Sequence, residues 1–345
     1  MDLFSGAGGS ALGFVRAGLE LVGALDLDAH ATRTFRENLG LEPLSADAAT
    51  VDFASWSREL GDVDVLVGCP PCQGFSRMRN THLPGAGDDP RNRLVYAYVR
   101  AVRALRPRVV VFENVPWMAR TRGGGYLRDL VTLLSKLGYR LTWGILDAAD
   151  YGVPQHRKRL IVVGSARSEP SLPEPTHADP GSRWVGEGLR RPWRTVREAI
   201  ADLPPLGHGE EDPSVPNHVA RRLPENWLRL IRAIPKDGGS RSQAPRSLWL
   251  PCHRRHRGHY DVFGRLWWGR PSNTITTGCW NPSKGRFVHP EQDRGLSLRE
   301  CARLQGFPDD FVFHGPPTAV SRQIGNAMPP PLATAIASRV REDFF

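Results

Sequence analysis

The chain has 345 residues, 40% hydrophobic and 24% charged, an ordinary balance for a globular protein with one large core or two modest ones. No apolar run approaches the roughly 18 residues of a membrane span, no signal-peptide pattern opens the sequence, and five cysteines are too sparse for a disulfide framework and fit a reducing cytosol. The net charge of +10 is uneven: Arg183 to Arg294 holds twenty Lys/Arg against eleven Asp/Glu, and seven of the ten tryptophans, a pairing of basic and aromatic residues that points to nucleic acid, with a solvated basic surface as the alternative.

The first half alternates strand-like and helix-like segments. Leu3-Phe4 is a stub of strand, either unusually short or trimmed at its start, and a glycine turn leads to a helix near Ser10–Ala17. Glu20–Leu25 reads as a strand, Ala29–Leu39 as a helix, and Leu44–Asp47 and Val63–Val67 as the third and fourth strands. Leu94–Leu105 is helical, Val109–Phe112 is a fifth strand, and Leu127–Leu137 is a helix ended by Gly138. Arg140–Leu146 and Arg159–Val163 close the series. This rhythm predicts an α/β fold, a doubly wound, mostly parallel sheet with helices on both faces. Beyond Gly164 the periodicity weakens, with helices expected only at Arg194–Ile200 and Glu225–Ile234, so about Ser165 to Gly315 reads as a smaller irregular domain. Pro329-Pro330-Pro331 then opens a helix over Leu332–Arg341.

Several motifs fall where such a sheet places chemistry, at the carboxyl ends of its strands. Gly6-Ala7-Gly8-Gly9-Ser10-Ala11 fits a loose nucleotide-binding pattern, and Asp26 lies where an acid commonly takes ribose hydroxyls; NAD and S-adenosylmethionine suit the loop equally. Gly68-Cys69-Pro70-Pro71-Cys72-Gln73-Gly74-Phe75-Ser76 follows the fourth strand. Its prolines stiffen the exit and present Cys72 rigidly as a nucleophile, beside a polar lid over Gln73–Arg93. Cys69 and Cys72 also match a thioredoxin-type pair, but no helix follows, and Cys252, Cys279 and Cys301 form no second close pair for zinc. Glu113 ends the fifth strand, where a carboxyl can protonate or hold a ring nitrogen. Arg157 and Arg159, two apart and so expected on one face, suit a phosphate or a base carbonyl.

These segments together closely resemble the DNA cytosine-5 methyltransferases. The matches are Asp2-Leu3-Phe4-Ser5-Gly6-Ala7-Gly8-Gly9, Pro70-Pro71-Cys72-Gln73, Glu113-Asn114-Val115, Gln155-x-Arg157-x-Arg159, Arg299-Glu300-x-Ala302-Arg303-Leu304-Gln305-Gly306-Phe307-Pro308 and Gln323-Ile324-Gly325-Asn326-Ala327, in the family's order. The resemblance implies a Rossmann-like S-adenosylmethionine-dependent fold, a catalytic domain of 1–164 plus 316–345, and a target-recognition domain of 165–315. It implies that Cys72 adds to cytosine C6, that Glu113 holds N3 and the exocyclic amine, and that Arg159 binds O2 with Arg157 supporting the loop or a phosphate. The cofactor S-adenosylmethionine would lie over Phe4, Gly6, Gly8 and Gly9, with Asp26 on the ribose and Asp47 on the adenine amine. Leu27 stands where relatives often carry an aromatic, Pro70 lines the site, and Asn326 closes it. Arg299–Phe311 would buttress the recognition domain, with Cys301 structural. No metal is implied.

The partner implied is double-stranded DNA, with the target base flipped out. Gln73, Ser76 and Arg91 on the loop, and Arg254, Arg255, Arg257 and Arg286 in the second domain, are the candidate DNA contacts. A transfer-RNA methyltransferase is the nearest rival, but its Cys-Phe-Thr signature is absent. A non-catalytic DNA-binding relative would be expected to lack Cys72, Glu113 or the glycine loop. A dinucleotide-dependent oxidoreductase explains the loop alone. The expected setting is a monomeric, cytoplasmic, nucleoid-associated enzyme of a prokaryote or phage, associated with a restriction or other anti-phage system.

Overall fold

Short apolar runs alternating with amphipathic helices fold into one seven-stranded sheet in a computed structural model, which describes residues 1–71, 94–120, 124–255 and 261–345. The strands are β1 (Asp2–Leu3), β2 (Ala24–Asp26), β3 (Leu44–Ser45), β4 (Val65–Gly68), β5 (Val109–Asn114), β6 (Arg140–Asp147) and β7 (Lys158–Ser165), in spatial order β3-β2-β1-β4-β5-β7-β6. The first five are parallel. β7 is antiparallel to both β5 and β6, as a short loop after β6 requires. β4 and β5 are buried at every position, which is why they carry unbroken apolar runs rather than alternation.

Helices cover both faces of the sheet. Leu66, Val110 and Phe112 share one core with residues of α3 (Phe53–Leu60) and of the helices Leu94–Leu105 and Gly125–Lys136. On the other face Ala24 packs with Ala11 of α1 (Gly9–Arg16) and Phe35 of α2 (Ala29–Leu39). The helix Pro330–Phe344 lies against α1 so closely that a Cβ on Gly13 would fall 2.3 Å from that of Ala333. α3 lies where the sequence suggests no element. Asp52 starts it by accepting from the amides of Ala54 and Ser55, and Phe53, Trp56 and Leu60, at i, i+3 and i+7, turn one face to the core.

Contacts divide the described residues into two compact units: Met1–Ala148, Lys158–Pro175 and Met328–Phe345 form the first, and Ala149–Arg157 with Thr176–Ala327 the second. These bounds differ from the expected division in that 149–157 and 316–327 lie in the second unit and 165–175 in the first. The second unit is built from short helices, 3-10 turns and the small pair β8 (His177–Ala178) and β9 (Arg191–Pro192), around a core that includes Leu228, Ile231, Phe263 and Val288.

Candidate active site

Because β1 to β5 run parallel, their carboxyl ends open on one edge of the first unit, and the candidate residues of that unit follow those ends. β1 turns sharply at Phe4, whose φ of +58° is rare for a non-glycine residue and marks stored strain. The Ser5 amide bonds Leu25 O at 3.0 Å and the Gly8 amide bonds Ser5 O at 2.9 Å, pinning the loop to β2. Gly8, at φ +96°, admits no Cβ, since one would lie 2.6 Å from Leu39 and 3.0 Å from Phe35. Gly6, at φ +52°, faces open space within 4 Å. One glycine thus seats the loop on α2, and the other leaves its outer surface bare.

Asp26 ends β2. Its Oδ2 accepts the Gly6 amide at 2.8 Å and its Oδ1 the Asp28 amide at 2.9 Å. Burial raises this carboxyl above its usual range, and the two amides act against that rise. Leu27 beside it is 67% exposed, and Asp47 beyond β3 is exposed and caps the next turn through the Ala49 amide. Beneath the loop Ser10 donates to Asp2 at 2.6 Å, and burial pushes the Asp2 carboxyl up to about 7.

β4 delivers Cys69 and Pro70. The exit is held from the side by Asn114, whose amide donates to Pro70 O at 3.2 Å, so the strand carrying Glu113 also fixes the start of the Cys72 segment. Cys69 is an improbable thiolate on chemical grounds: burial drives its thiol far up, and the charges of Glu113 and Asp2 add to the rise. Cys72, with Gln73, Ser76 and Arg91, lies outside the described residues.

Glu113 and Arg159 meet on one face of the β5–β7 pair. Glu113 is registered with Ile161, so Arg159, two residues along β7, is its diagonal neighbour. Arg159 Nε stands 2.7 Å from Glu113 Oε1, with both side chains about one-tenth exposed. Arg159 also donates to Lys158 O at 2.8 Å, which aims the guanidinium. A carboxylate held this way keeps a second oxygen for a ligand.

Arg157 departs from the expectation that it shares a face with Arg159. β7 begins only at Lys158, so the two-residue period does not extend back to Arg157. Its guanidinium donates to Ile275 O at 2.7 Å, Gly325 O at 2.8 Å and Ala327 O at 3.0 Å, all within the second unit. Arg286 is a second correction. Expected among the DNA contacts, it is 6% exposed and donates to Asp261 and to the carbonyls of Gly238, Gly239 and Arg265. Arg254 is exposed and donates to Ser247 O at 2.6 Å. Arg255 ends a short helix, and Arg257 lies outside the described residues. Asn326, the last residue of the helix Pro317–Asn326, is exposed in the second unit. Ser10 and Gln305 lie within motifs the sequence offers but without a role of their own, and Cys69 enters there only as half of a thioredoxin-type pair.

A glycine loop with a free outer face, a half-buried acid at the next strand end, and a carboxylate–guanidinium pair across the sheet are the groups that a two-part site for a cofactor and a ring substrate would need. The sequence profile of the C-5 cytosine-specific DNA methylases matches residues 1–342. The chain belongs to this family. It is 36% identical over 344 residues to the type II methyltransferase M1.HphI of Haemophilus parahaemolyticus, covering 99% of this chain and 86% of that one. It is 32% identical over 357 residues to the type II methylase M.HgiDII of Herpetosiphon aurantiacus, covering 99% and 94%. Among solved structures, a prophage-encoded DNA modification methyltransferase (E. coli) superposes with a TM-score of 0.73 at 24% identity, covering 99% of this chain and 97% of that one; S. pombe Dnmt2 gives 0.63 at 15%, covering 100% and 98%. Those two likenesses concern the fold.

As a DNA cytosine-5 methyltransferase the protein is an S-adenosylmethionine-dependent enzyme with DNA as substrate. The bare face at Gly6 and the half-buried Asp26 carboxylate suit that cofactor: one gives room for close backbone approach, the other an acceptor for paired hydroxyls. Among the described residues no helix is long and apolar enough to cross a membrane.

Proposed function

We propose that Cys72 is the nucleophile, and that Glu113 and Arg159 hold the target cytosine while the thiolate adds to it. The observation that carries this reading is the Glu113–Arg159 pair at 2.7 Å, on the strand whose Asn114 also clamps Pro70, two residues before Cys72. Cytosine C5 is a weak nucleophile. Addition of the Cys72 Sγ to C6 makes C5 enamine-like; Glu113, carrying a proton, accepts from the exocyclic amine and donates to N3, and passing that proton to N3 neutralises the negative charge that reaches the ring. Arg159 takes O2 with a donor its bond to Glu113 leaves available. S-adenosylmethionine supplies the methyl group that C5 receives. Loss of the C5 proton to a base then expels Cys72 Sγ and restores the aromatic ring.

Phe4, Gly6, Gly8 and Gly9 would carry the cofactor, with Asp26 on the ribose and Asp47 on the adenine. Leu27 and Pro70 would flank it, and Asn326 would close the site. Loop residues Gln73, Ser76 and Arg91, and Arg254, Arg255 and Arg257 in the second unit, would contact the duplex from which the target base is flipped out. Protection of host DNA beside a restriction or anti-phage system, by a monomer in the cytoplasm, is the setting this activity fits. Methyl transfer from labelled S-adenosylmethionine to duplex DNA and to transfer RNA, side by side, tests the reading. Label confined to cytosine C5 within one short duplex motif is expected; label in the RNA alone would move the substrate class.

A further inference from the structure

Several arginines that reach the surface of the second unit are neutralised where they stand. Arg232 pairs with Glu225 at 3.5 Å, and Arg303 pairs with Asp202 and Asp309. The excursion from His177 to Arg194, within the same unit, breaks this pattern. Between Arg183 and Arg194 four arginines stand against one acid, Glu187. Arg183, Arg191 and Arg194 are exposed, and among the described residues none of the three makes an ion pair.

The excursion is nevertheless tightly built. β8 and β9 pair at its base, where the Arg191 amide donates to Thr176 O at 3.0 Å and the Trp193 amide to Ala178 O at 2.9 Å. The turn between them closes on Trp184 O, which accepts the amides of Leu189 and Arg190 at 2.9 and 3.0 Å. Trp193 fastens the return: its Nε1 donates to Asp150 Oδ1 at 2.8 Å, and its ring stands edge-on to His156 with centroids 4.6 Å apart. Arg183 and Arg190 each lie 4.6 Å from the Trp184 ring centroid, contacts that orient a guanidinium without cancelling its charge. Arg191 and Arg194 crowd His177, where their charge adds to burial in lowering the imidazole. The acids nearest these groups are engaged elsewhere. Glu198 Oε2 accepts the amide and hydroxyl of Thr195, and Asp150 holds Trp193.

We propose that this excursion is a docking surface for the sugar–phosphate backbone of the DNA substrate, with Arg191, Arg194 and Arg183 as phosphate contacts. Like charges fixed side by side without a counter-charge repel one another, and a polyanion relieves that repulsion. The guanidinium fork matches the paired oxygens of a phosphate. Phosphate contacts position a protein on a duplex without reading its sequence, so the surface serves every duplex alike. The inference rests on duplex DNA being the substrate.

The test measures binding of the full chain to two duplexes of equal length, one carrying the methylated motif and one scrambled, over a range of salt. Replacing Arg191→Gln and Arg194→Gln together should lower the slope of log K against log salt by up to about 2, equally for both duplexes. Each lost contact should weaken binding on the order of tenfold near 0.1 M salt. The urea midpoint and the S-adenosylmethionine Kd should not move. Arg191→Lys with Arg194→Lys, which keeps both charges, should restore the slope. An unchanged slope in the glutamine pair would overturn the inference, and so would a loss confined to the motif duplex, which would mean base reading. A native protein that binds neither duplex would defeat the reading of DNA as substrate, and shows itself before any variant is made.

Discussion

In the first unit, the carbonyls of β4 and β5 are satisfied by neighbouring strands, and the buried Arg159 is free to pair with Glu113. In the second unit regular elements are short, carbonyls are left over, and arginines are drawn inside to meet them. Arg265, fully buried, donates to the carbonyls of Ile231, Ile234, His289 and Gln292. Arg299 does the same for Pro216, Pro308 and Phe311, and Arg294 binds Glu300 in a two-pronged pair at 2.6 and 2.8 Å. An unpaired buried carbonyl is costly, and a guanidinium with five fixed donors can close several at once. The same side chain therefore pairs with one carboxylate beside the candidate site in one unit and is a girder in the other.

The sharpest way to break this contrast is to attack the chemistry without touching a girder. Cys72→Ser should lower turnover toward the roughly 10^6-fold loss seen when a covalent nucleophile is removed, with the circular dichroism spectrum and melting temperature unchanged. Retained methylation in that variant would remove Cys72 from the mechanism. Glu113→Gln should act in the same direction by about 10^2- to 10^4-fold, but it also strands the charge of Arg159, so its melting temperature should fall too.

A smaller effect separates the units by pH. His289 is 3% exposed, and its Nδ1 accepts the amides of Glu291 at 3.1 Å and Gln292 at 2.9 Å, so protonation there would break both bonds. Burial holds this imidazole down at about 4, Glu300 opposing and Arg294, Arg265 and Lys236 reinforcing. The folded value lies below the unfolded one near 6.5, so the contribution is whole above about 6.5 and is lost as pH falls to about 4, on the order of 2–3 kcal/mol. Glu300 follows at lower pH: burial would raise its carboxyl, but Arg294 holds it at about 2, so its contribution disappears between about 4.5 and about 2. Asp2, raised to about 7, gains stability over the same range and acts in the opposite direction, so the readout is a difference: between pH 7 and pH 4 the urea midpoint of His289→Asn, which keeps an acceptor without a titrating ring, should rise relative to that of the native protein. His253, also lowered to about 4 by burial and then Arg241, acts in the same direction as His289, and identical pH profiles for native protein and His289→Asn would contradict the His289 assignment.

Much of the first unit was legible because its physics is periodic. Val65–Val67 and Val109–Phe112 announce buried parallel strands, and a parallel sheet assigns Asp26, Cys69 and Glu113 to one edge without further information. Glu113 and Arg159 still needed the antiparallel turn of β7 before their pairing followed. The second unit was legible only as a composition. Whether an arginine faces solvent or a carbonyl depends on which backbone groups the irregular chain leaves unpaired, and no local pattern records that. Arg157 illustrates the boundary: two residues from Arg159 in sequence, it stops short of the strand and joins a different set of bonds.

The smallest expected effect bears on how the basic excess of the second unit is to be read. If twenty Lys/Arg between Arg183 and Arg294 all faced DNA, removing any one would reduce the salt dependence of binding. The burial of Arg241, Arg265, Arg286 and Arg294 predicts otherwise. Arg254→Ala, at an exposed position, should lower the slope of log K against log salt by up to about 1, the signature of one lost phosphate contact. Arg286→Met should leave that slope unchanged in the folded fraction. It should instead lower the urea midpoint, because three carbonyls and Asp261 lose their donor and each buried group left unpaired costs about 1–3 kcal/mol. Trp267 would also lose a guanidinium stacked 4.1 Å from its ring, though Arg270 at 4.2 Å stays on it. Equal slopes for native protein and Arg254→Ala would move the duplex contact to other exposed arginines of the unit, whereas a reduced slope for Arg286→Met would mean that its bonds to the carbonyls open when DNA binds.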